Sequence, residues 1–168
     1  MLHGLRVRAN AVDLALYRRV RGLARAPRVA RWVRRYSALG EHGAVWLVLG
    51  ACGAAVDADR RGRWTRATAC VGAAYLISTS IKLAIGRKRP VIEDLPHLMA
   101  TPTGLSFPSS HSTSSFAAAR AYGRLLPGPP LYAAALGMAF SRLYLGVHYP
   151  SDIVAGAALG TALGSAGR

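Results

Sequence analysis

Apolar positions recur in two different patterns along this chain. From Leu14 to Tyr36 they come singly or in pairs: Leu14, Leu16, Val20 and Leu23, then Val29, Trp32, Val33 and Tyr36, at steps of two to four with charged side chains between them. Steps of that size trace amphipathic helices, and Pro27 divides the stretch into two segments. After Glu41 the apolar positions merge into runs. Gly43 to Val56 carries no charge, nor does Ala67 to Ile81, and the polar Asp57–Arg66 stretch between them reads as the turn of an antiparallel helical hairpin. Three further apolar segments follow: Ser112–Leu126 interrupted by Arg120 and Arg124, Leu131–Val147 interrupted by Arg142, and Ile153–Gly167. Residues 90–108, rich in proline, form a loop between the second and third segments.

Each uninterrupted run is shorter than the roughly 20 residues that span a bilayer comfortably, so length alone leaves a buried soluble bundle open. The last segment shifts the balance. Gly156, Gly160 and Gly164 repeat at every fourth position and make a flat strip suited to close packing of transmembrane helices. In a soluble helix each such glycine costs about 1 kcal/mol relative to alanine. The reading is therefore an all-α fold: an integral-membrane bundle of about five transmembrane helices, without β-sheet, behind an N-terminal amphipathic interfacial helical region. Residues 1–40 form a basic membrane-surface region and residues 41–168 the transmembrane domain.

Composition sharpens this picture. A chain of 168 residues is one domain at most, and 22 Lys+Arg against 7 Asp+Glu give it a formal charge of +15. With 52% hydrophobic side chains it is no disordered polycation. Ten arginines precede residue 36, namely Arg6, Arg8, Arg18, Arg19, Arg21, Arg25, Arg28, Arg31, Arg34 and Arg35. A basic amphipathic helix of this kind is expected at an anionic membrane surface, with membrane lipids as its partner. A nucleic-acid arm is the rival, and the apolar remainder of the chain argues against it. No cleavable signal peptide is expected, because no uninterrupted apolar core follows the first arginines. Cys52 and Cys70 lie in uncharged stretches without CxxC or Cys/His spacing, so they read as packing residues rather than as a disulfide, zinc or redox pair.

The polar residues that interrupt the runs form an ordered set. Lys82 and Arg89-Pro90 end the second helix, Pro108-Ser109-Ser110-His111 opens the third, and Ser141-Arg142 with His148 and Asp152 joins the fourth to the fifth. In an antiparallel bundle these groups meet on one membrane face. Cations within apolar helices are costly unless paired or ligand-bound, so Lys82, Arg89 and Arg142 together point to a bound polyanion. Arginine's fork matches phosphate oxygens, and lysine adds a point charge. Ser109 is a good N-cap, and the free N–H groups after it, near Ser110, would face the same anion. His148 and Asp152 have the spacing of a nucleophile and its orienting carboxylate, and His111 is then available to protonate a leaving oxygen.

These three segments resemble the type 2 phosphatidic acid phosphatase superfamily, whose signature is K-x6-RP, PSGH and SR-x5-H-x3-D. Here the corresponding residues are Lys82-x6-Arg89-Pro90, the PSSH of 108–111, and Ser141-Arg142-x5-His148-x3-Asp152. The resemblance implies a phosphatase acting on lipid-linked phosphate without metal or cofactor. His148 would be the nucleophile forming a phosphohistidine, Asp152 its orienter and His111 the acid, with Lys82, Arg89, Ser109, Ser110 and Arg142 holding the phosphate. Ser110 departs from the consensus glycine, which is harmless if the position is an ordinary first-turn residue. The soluble vanadium haloperoxidases of the same superfamily need larger scaffolds than this chain.

Within the superfamily the sequence is similar to small members from GC-rich, arabinan-walled actinobacteria, a branch that includes decaprenylphosphoryl-5-phosphoribose phosphatases. The resemblance implies removal of the 5-phosphate in cell-wall arabinan precursor synthesis, with polyprenyl diphosphate or phosphatidylglycerol phosphate as alternative substrates. A nonenzymatic scaffold leaves the ordered cationic set unexplained, and a metal-dependent hydrolase lacks HExxH or an acidic cluster. The N-terminal arginines oppose Arg60, Arg61, Arg63, Arg66, Arg124 and Arg168 near the other face, which places the N-terminus and the active site on the cytoplasmic side of the plasma membrane. Within the 90–108 loop, Glu93, Asp94 and His97 are either sugar contacts or solvated loop residues. Oligomeric state is open.

Overall fold

The structure, a computed structural model, describes residues 2–24 and 26–167, with side chains from residue 11 onward. Of the basic set named above, Arg25 and Arg168 and the side chains of Arg6 and Arg8 lie outside what is described. The described residues form α1 (Leu2–Arg21), α2 (Pro27–Leu39), α3 (Ala44–Val56), α4 (Arg61–Ile85), α5 (Ser110–Tyr122), α6 (Gly128–Tyr144) and α7 (Pro150–Gly164). The all-α expectation holds. Among the described residues there is no strand, and a single bridge between Lys88 and Leu105 pinches the loop after α4.

Helix α5 is the axis of the bundle and packs against α4, α6 and α7. Its sequence explains why it tolerates burial on all sides. Alanine, serine and threonine dominate it, and the hydroxyls of Thr113 and Ser114 donate to the carbonyls of Ser109 and Ser110 one turn back, each at 3.0 Å. Trp46 of α3 donates its Nε1–H to Ser115 Oγ (2.8 Å), and Tyr122 donates to the Trp46 carbonyl (2.9 Å). Large side chains thus fill the space that small ones leave.

The glycine strip of α7 lies against α5. A Cβ at Gly156 would fall 2.6 Å from the Ser109 carbonyl oxygen and one at Gly164 2.6 Å from that of Ala117, while one at Gly160 would collide with the carbonyl of Thr113. The two backbones touch directly. On the outer faces, Val48, Leu76, Leu83, Leu136 and Val154 are exposed, so this bundle carries apolar side chains outward. The helical stretch Ala58–Ile85 is long and apolar enough to cross a membrane alone, and Pro27–Leu39 with Glu41–Val56 would do so as one bent pair.

One expectation changes. Cys70 packs as foreseen, its thiol donating to the Leu163 carbonyl (3.0 Å), but Cys52 sits on the exposed face of α3. Helix α1 exposes Leu14 and Leu16 and buries Asp13, Tyr17 and Arg21 against the α6–α7 turn. The inward face is polar because it meets polar groups: Tyr17 and Arg21 donate to the carbonyls of Gly146 and Tyr144, and Asp13 accepts from Ser151.

Candidate active site

Local chain chemistry delivers each polar residue to one end of the bundle. Helix α4 stops at Gly86, whose φ of +66° ends the helix in the left-handed region, so Arg89 stands in the loop beyond the helix rather than at its end. Ser109 caps α5, its Oγ accepting the Ser112 N–H at 3.4 Å. After α6 the chain turns at Gly146, where φ is +77°, and presents Val147 and His148 before Pro150 opens α7. Asp152, in the first turn of α7, accepts the Tyr149 N–H through Oδ2 (2.8 Å), and the Ser109 N–H donates to the Asp152 carbonyl (3.0 Å). The starts of α5 and α7 are thereby joined.

These residues surround a cavity of about 170 Å³. Lys82, Arg89, Ser110, His111, Arg142 and His148 line it, together with Glu41, His42, Tyr75, Thr79, Pro102 and Thr103. Lys82 donates to the Pro108 carbonyl (2.8 Å). Arg89 donates from Nε to the Thr103 carbonyl (2.9 Å) and from Nη1 to the Val147 carbonyl (2.6 Å). The same Nη1 lies 3.1 Å from His148 Nε2, which places a lone pair on Nε2 and the ring proton on Nδ1. Nδ1 in turn stands 3.4 Å from Asp152 Oδ2. His148 is fully buried, and burial together with the charges of Arg89, Arg142 and Lys82 holds its pKa well below the usual imidazole value of 6.5. Opposite it, His111 Nε2 is 3.2 Å from the Ser37 carbonyl and 3.8 Å from Glu41 Oε2. Arg142 donates from Nη1 to the Ser37 hydroxyl (2.7 Å), while its buried Nε has no hydrogen-bond partner.

Six of the eight sequence-predicted residues therefore line one cavity, and the other two lie behind its wall. Ser109 is buried with its hydroxyl turned to its own helix, and Asp152 is buried behind His148. Ser110 is an ordinary first-turn helical residue, the harmless case foreseen for its departure from glycine. Glu93, Asp94 and His97 stay off the cavity; Asp94 pairs with Arg18 at 2.9 Å on the surface and His97 contacts the Pro90 carbonyl. Four participants escape the sequence pattern. Ser37 and Glu41 face His111, and Arg87 and Asp13 stand behind Asp152. The available signals were slight: Arg87 falls inside the x6 spacer, and Asp13 is the one acid among the first 40 residues.

A membrane-type helical bundle that gathers three cations and two histidines at one end has the architecture of a lipid-phosphate hydrolase. The chain belongs to the PAP2 superfamily, whose family model matches residues 63–167. It is 40% identical over 139 residues to the decaprenylphosphoryl-5-phosphoribose phosphatase of Mycobacterium tuberculosis, covering 83% of this chain and 78% of that protein. The crystal structure of Aquifex aeolicus LpxE superposes with a TM-score of 0.80 at 25% identity, over 93% of this chain and 94% of that one. A transmembrane PAP2 type phosphatidylglycerolphosphate phosphatase from Bacillus subtilis has the same fold, with a TM-score of 0.75 at 23% identity over 93% and 82% of the two chains. The protein is accordingly a membrane phosphatase of lipid phosphates, a phosphoric monoester hydrolase.

Proposed function

We propose that this phosphatase works through a phosphohistidine on His148 and removes the 5-phosphate of decaprenylphosphoryl-5-phosphoribose. The observation that carries the reading is the cavity in which His148 Nε2, His111 and the three cations face one another. The substrate phosphate sits between Lys82, Arg89 and Arg142, and it supplies the acceptor that the buried Nε–H of Arg142 lacks. The N–H groups at the start of α5, around Ser110, add donors where an anion is favoured, and Ser109 holds that turn in shape.

The Nε2 lone pair attacks phosphorus, the bond from phosphorus to the leaving oxygen breaks, and His111 gives that oxygen its proton. Asp152 stabilises the Nδ1 proton and the positive charge that the ring acquires. In the second half, water attacks the phosphohistidine, the now neutral His111 takes a proton from it, and the P–N bond breaks to release inorganic phosphate. No metal takes part. The cationic cradle supplies the charge neutralisation that a metal would bring, and among the described residues no three His, Cys, Asp or Glu side chains are grouped as ligands.

Helices α3 to α7 are the five membrane passes of a multi-pass plasma-membrane protein in this reading, and residues 1–40 lie along the cytoplasmic surface beside the active site. Charge supports that side: the N-terminal arginines lie at the same end of the bundle as the cavity, and Arg18 and Arg21 bond the loops around it. Similarity to the mycobacterial enzyme supports the substrate, since its name specifies that lipid-linked sugar phosphate.

The test is phosphate release from decaprenylphosphoryl-5-phosphoribose by detergent-purified protein in EDTA, beside a His148→Ala variant. Release by the wild type alone is expected. Equal release by both overturns the nucleophile, EDTA sensitivity overturns metal independence, and release only from polyprenyl diphosphate or phosphatidylglycerol phosphate overturns the substrate. For sidedness, Thr101→Cys should react with a membrane-impermeant maleimide only in broken cells, and reaction in intact cells places the site on the outer face.

A further inference from the structure

Helix α1 lies outside the stretch that the family model covers, yet it reaches the catalytic turn with three side chains one and two turns apart. Asp13 is buried, and its carboxylate accepts the Ser151 N–H (2.9 Å), the Ser151 hydroxyl (2.6 Å) and Nη2 of Arg87 (2.7 Å). Arg87 uses its other Nη to reach Asp152 Oδ1 (2.9 Å) and Ser151 Oγ (2.7 Å), and its guanidinium stacks over the Tyr149 ring at 4.5 Å. Tyr17 donates to the Gly146 carbonyl (3.0 Å), and Arg21 to the carbonyls of Tyr144 (3.2 Å) and Pro96 (2.6 Å). Gly146 admits this approach: a Cβ there would fall 2.6 Å from Arg21 Nε and 2.8 Å from the Tyr17 hydroxyl oxygen.

We infer that the basic N-terminal helix is a working part of the active site, with Asp13 and Arg87 acting as positioning residues that hold the Asp152–His148 pair in register. The inference rests on His148 being the nucleophile. Its physical basis is a four-membered chain of contacts: Asp13 fixes one edge of the Arg87 fork, the other edge fixes Oδ1 of Asp152, and Oδ2 faces the ring nitrogen whose proton sets the tautomer of His148. A buried carboxylate on an arginine-rich surface helix is costly unless paired, and here every contact it makes is with the catalytic turn or with the arginine behind it. A helix serving only to attach the protein to lipid needs no such group.

The experiment is a cycle on the full-length protein with para-nitrophenyl phosphate, a phosphomonoester that carries no lipid, so that failure of the decaprenyl substrate assignment leaves this test intact. Asp13→Asn and Arg87→Lys are compared with Asp152→Asn and with the double variant Asp13→Asn/Asp152→Asn. Asp13→Asn is expected to lower kcat by about 10-fold to 100-fold, the scale on which an outer partner of a functional side chain acts, with KM within about twofold because the phosphate cradle is untouched. The double variant should be no slower than Asp152→Asn within about threefold, since Asp13 acts through Asp152. Nitrogen NMR of 15N-histidine-labelled protein adds a readout independent of turnover. The His148 resonances, identified by their loss in His148→Ala, should show a protonated Nδ1 in the wild type and a mixture of tautomers in Asp13→Asn. Full multiplication of the two losses in the double variant, an unchanged kcat, or an unchanged tautomer in Asp13→Asn overturns the inference and reduces α1 to a fastening.

Discussion

Helices α1 and α2 share one sequence signature, arginines spaced among apolar residues on either side of Pro27, and the molecule uses them differently. Helix α2 divides its apolar positions: Val33 packs with Ala30 against Tyr144 and Leu145, while Val29 and Trp32 lie outside, Trp32 with Arg35 5.1 Å from its ring centre. Helix α1 turns its polar face inward and leaves its leucines outside. Their bearing on the site also differs. Helix α1 brings a carboxylate, a phenol and a guanidinium to the turn that carries His148, whereas α2 brings one serine, whose carbonyl faces His111 and whose hydroxyl accepts from Arg142. Periodicity tells which residues share a face; it does not tell which face is inside when both surroundings can satisfy it.

The sharpest way to break this comparison is to remove the histidine that each helix supports. His148→Ala should reduce turnover to background if the proposed phosphohistidine forms there, because that nucleophile has no substitute. His111→Ala should cost about 10²–10⁴-fold with an alkoxide leaving group and far less with para-nitrophenyl phosphate, whose leaving group needs no proton. Steady-state kinetics on both substrates checks this, and a reversed pattern exchanges the two roles. Next in size is a pair of glycines that seat the helices. Gly146→Ala combines a positive φ with a Cβ pressed against Arg21 and Tyr17 and should destabilise by about 1–3 kcal/mol. Gly137→Ala, whose Cβ would stand 3.2 Å from the Tyr36 hydroxyl oxygen, should cost less than about 1 kcal/mol. Thermal unfolding in detergent measures both, and equal losses would mean that α1 is seated no more tightly than α2.

Smaller effects separate binding from chemistry. Ser37→Ala removes the hydroxyl that Arg142 reaches but keeps the carbonyl beside His111, so KM should rise about fivefold with kcat preserved, the equivalent of one hydrogen bond of about 1 kcal/mol. A kcat loss instead would mean that the hydroxyl also governs the acid. The smallest expected departure is in the pH profile. Because the pKa of His148 lies below the ordinary 6.5, its ring is neutral, and so nucleophilic, at pH values where a free imidazole is half protonated. The acidic limb of kcat/KM should therefore fall below pH 6.5, and a limb at or above that value contradicts a buried ring beside three cations.

Much of the site was legible in the sequence because phosphoryl transfer demands particular residue types, and the order of helices leaves few ways to bring them together. Lys82, Arg89, His111, Arg142 and His148 could be placed at one end of a bundle before any coordinate, and the helical runs could be placed to within a few residues. What escaped were contacts between distant segments. Asp13 and Arg87 are 74 positions apart, and neither has a chemical signature until the other is beside it. Ser109 takes the N-cap role that its position predicts, whereas its phosphate role comes from the family resemblance alone. The exposure of Cys52 likewise depends on how α3 is rotated, which an apolar run on every side does not specify.

The glycine seam between α5 and α7 has a consequence for how such a catalyst can change. His111 rides on one side of the seam and Asp152 on the other, so the spacing between the two is set where three side chains are reduced to hydrogen atoms. A larger side chain there would push α5 and α7 apart and is expected to lower activity. The loop that contributes Pro102 and Thr103 to the cavity lies outside the seam. Side chains of that loop can therefore vary without touching the contacts that join α5 to α7.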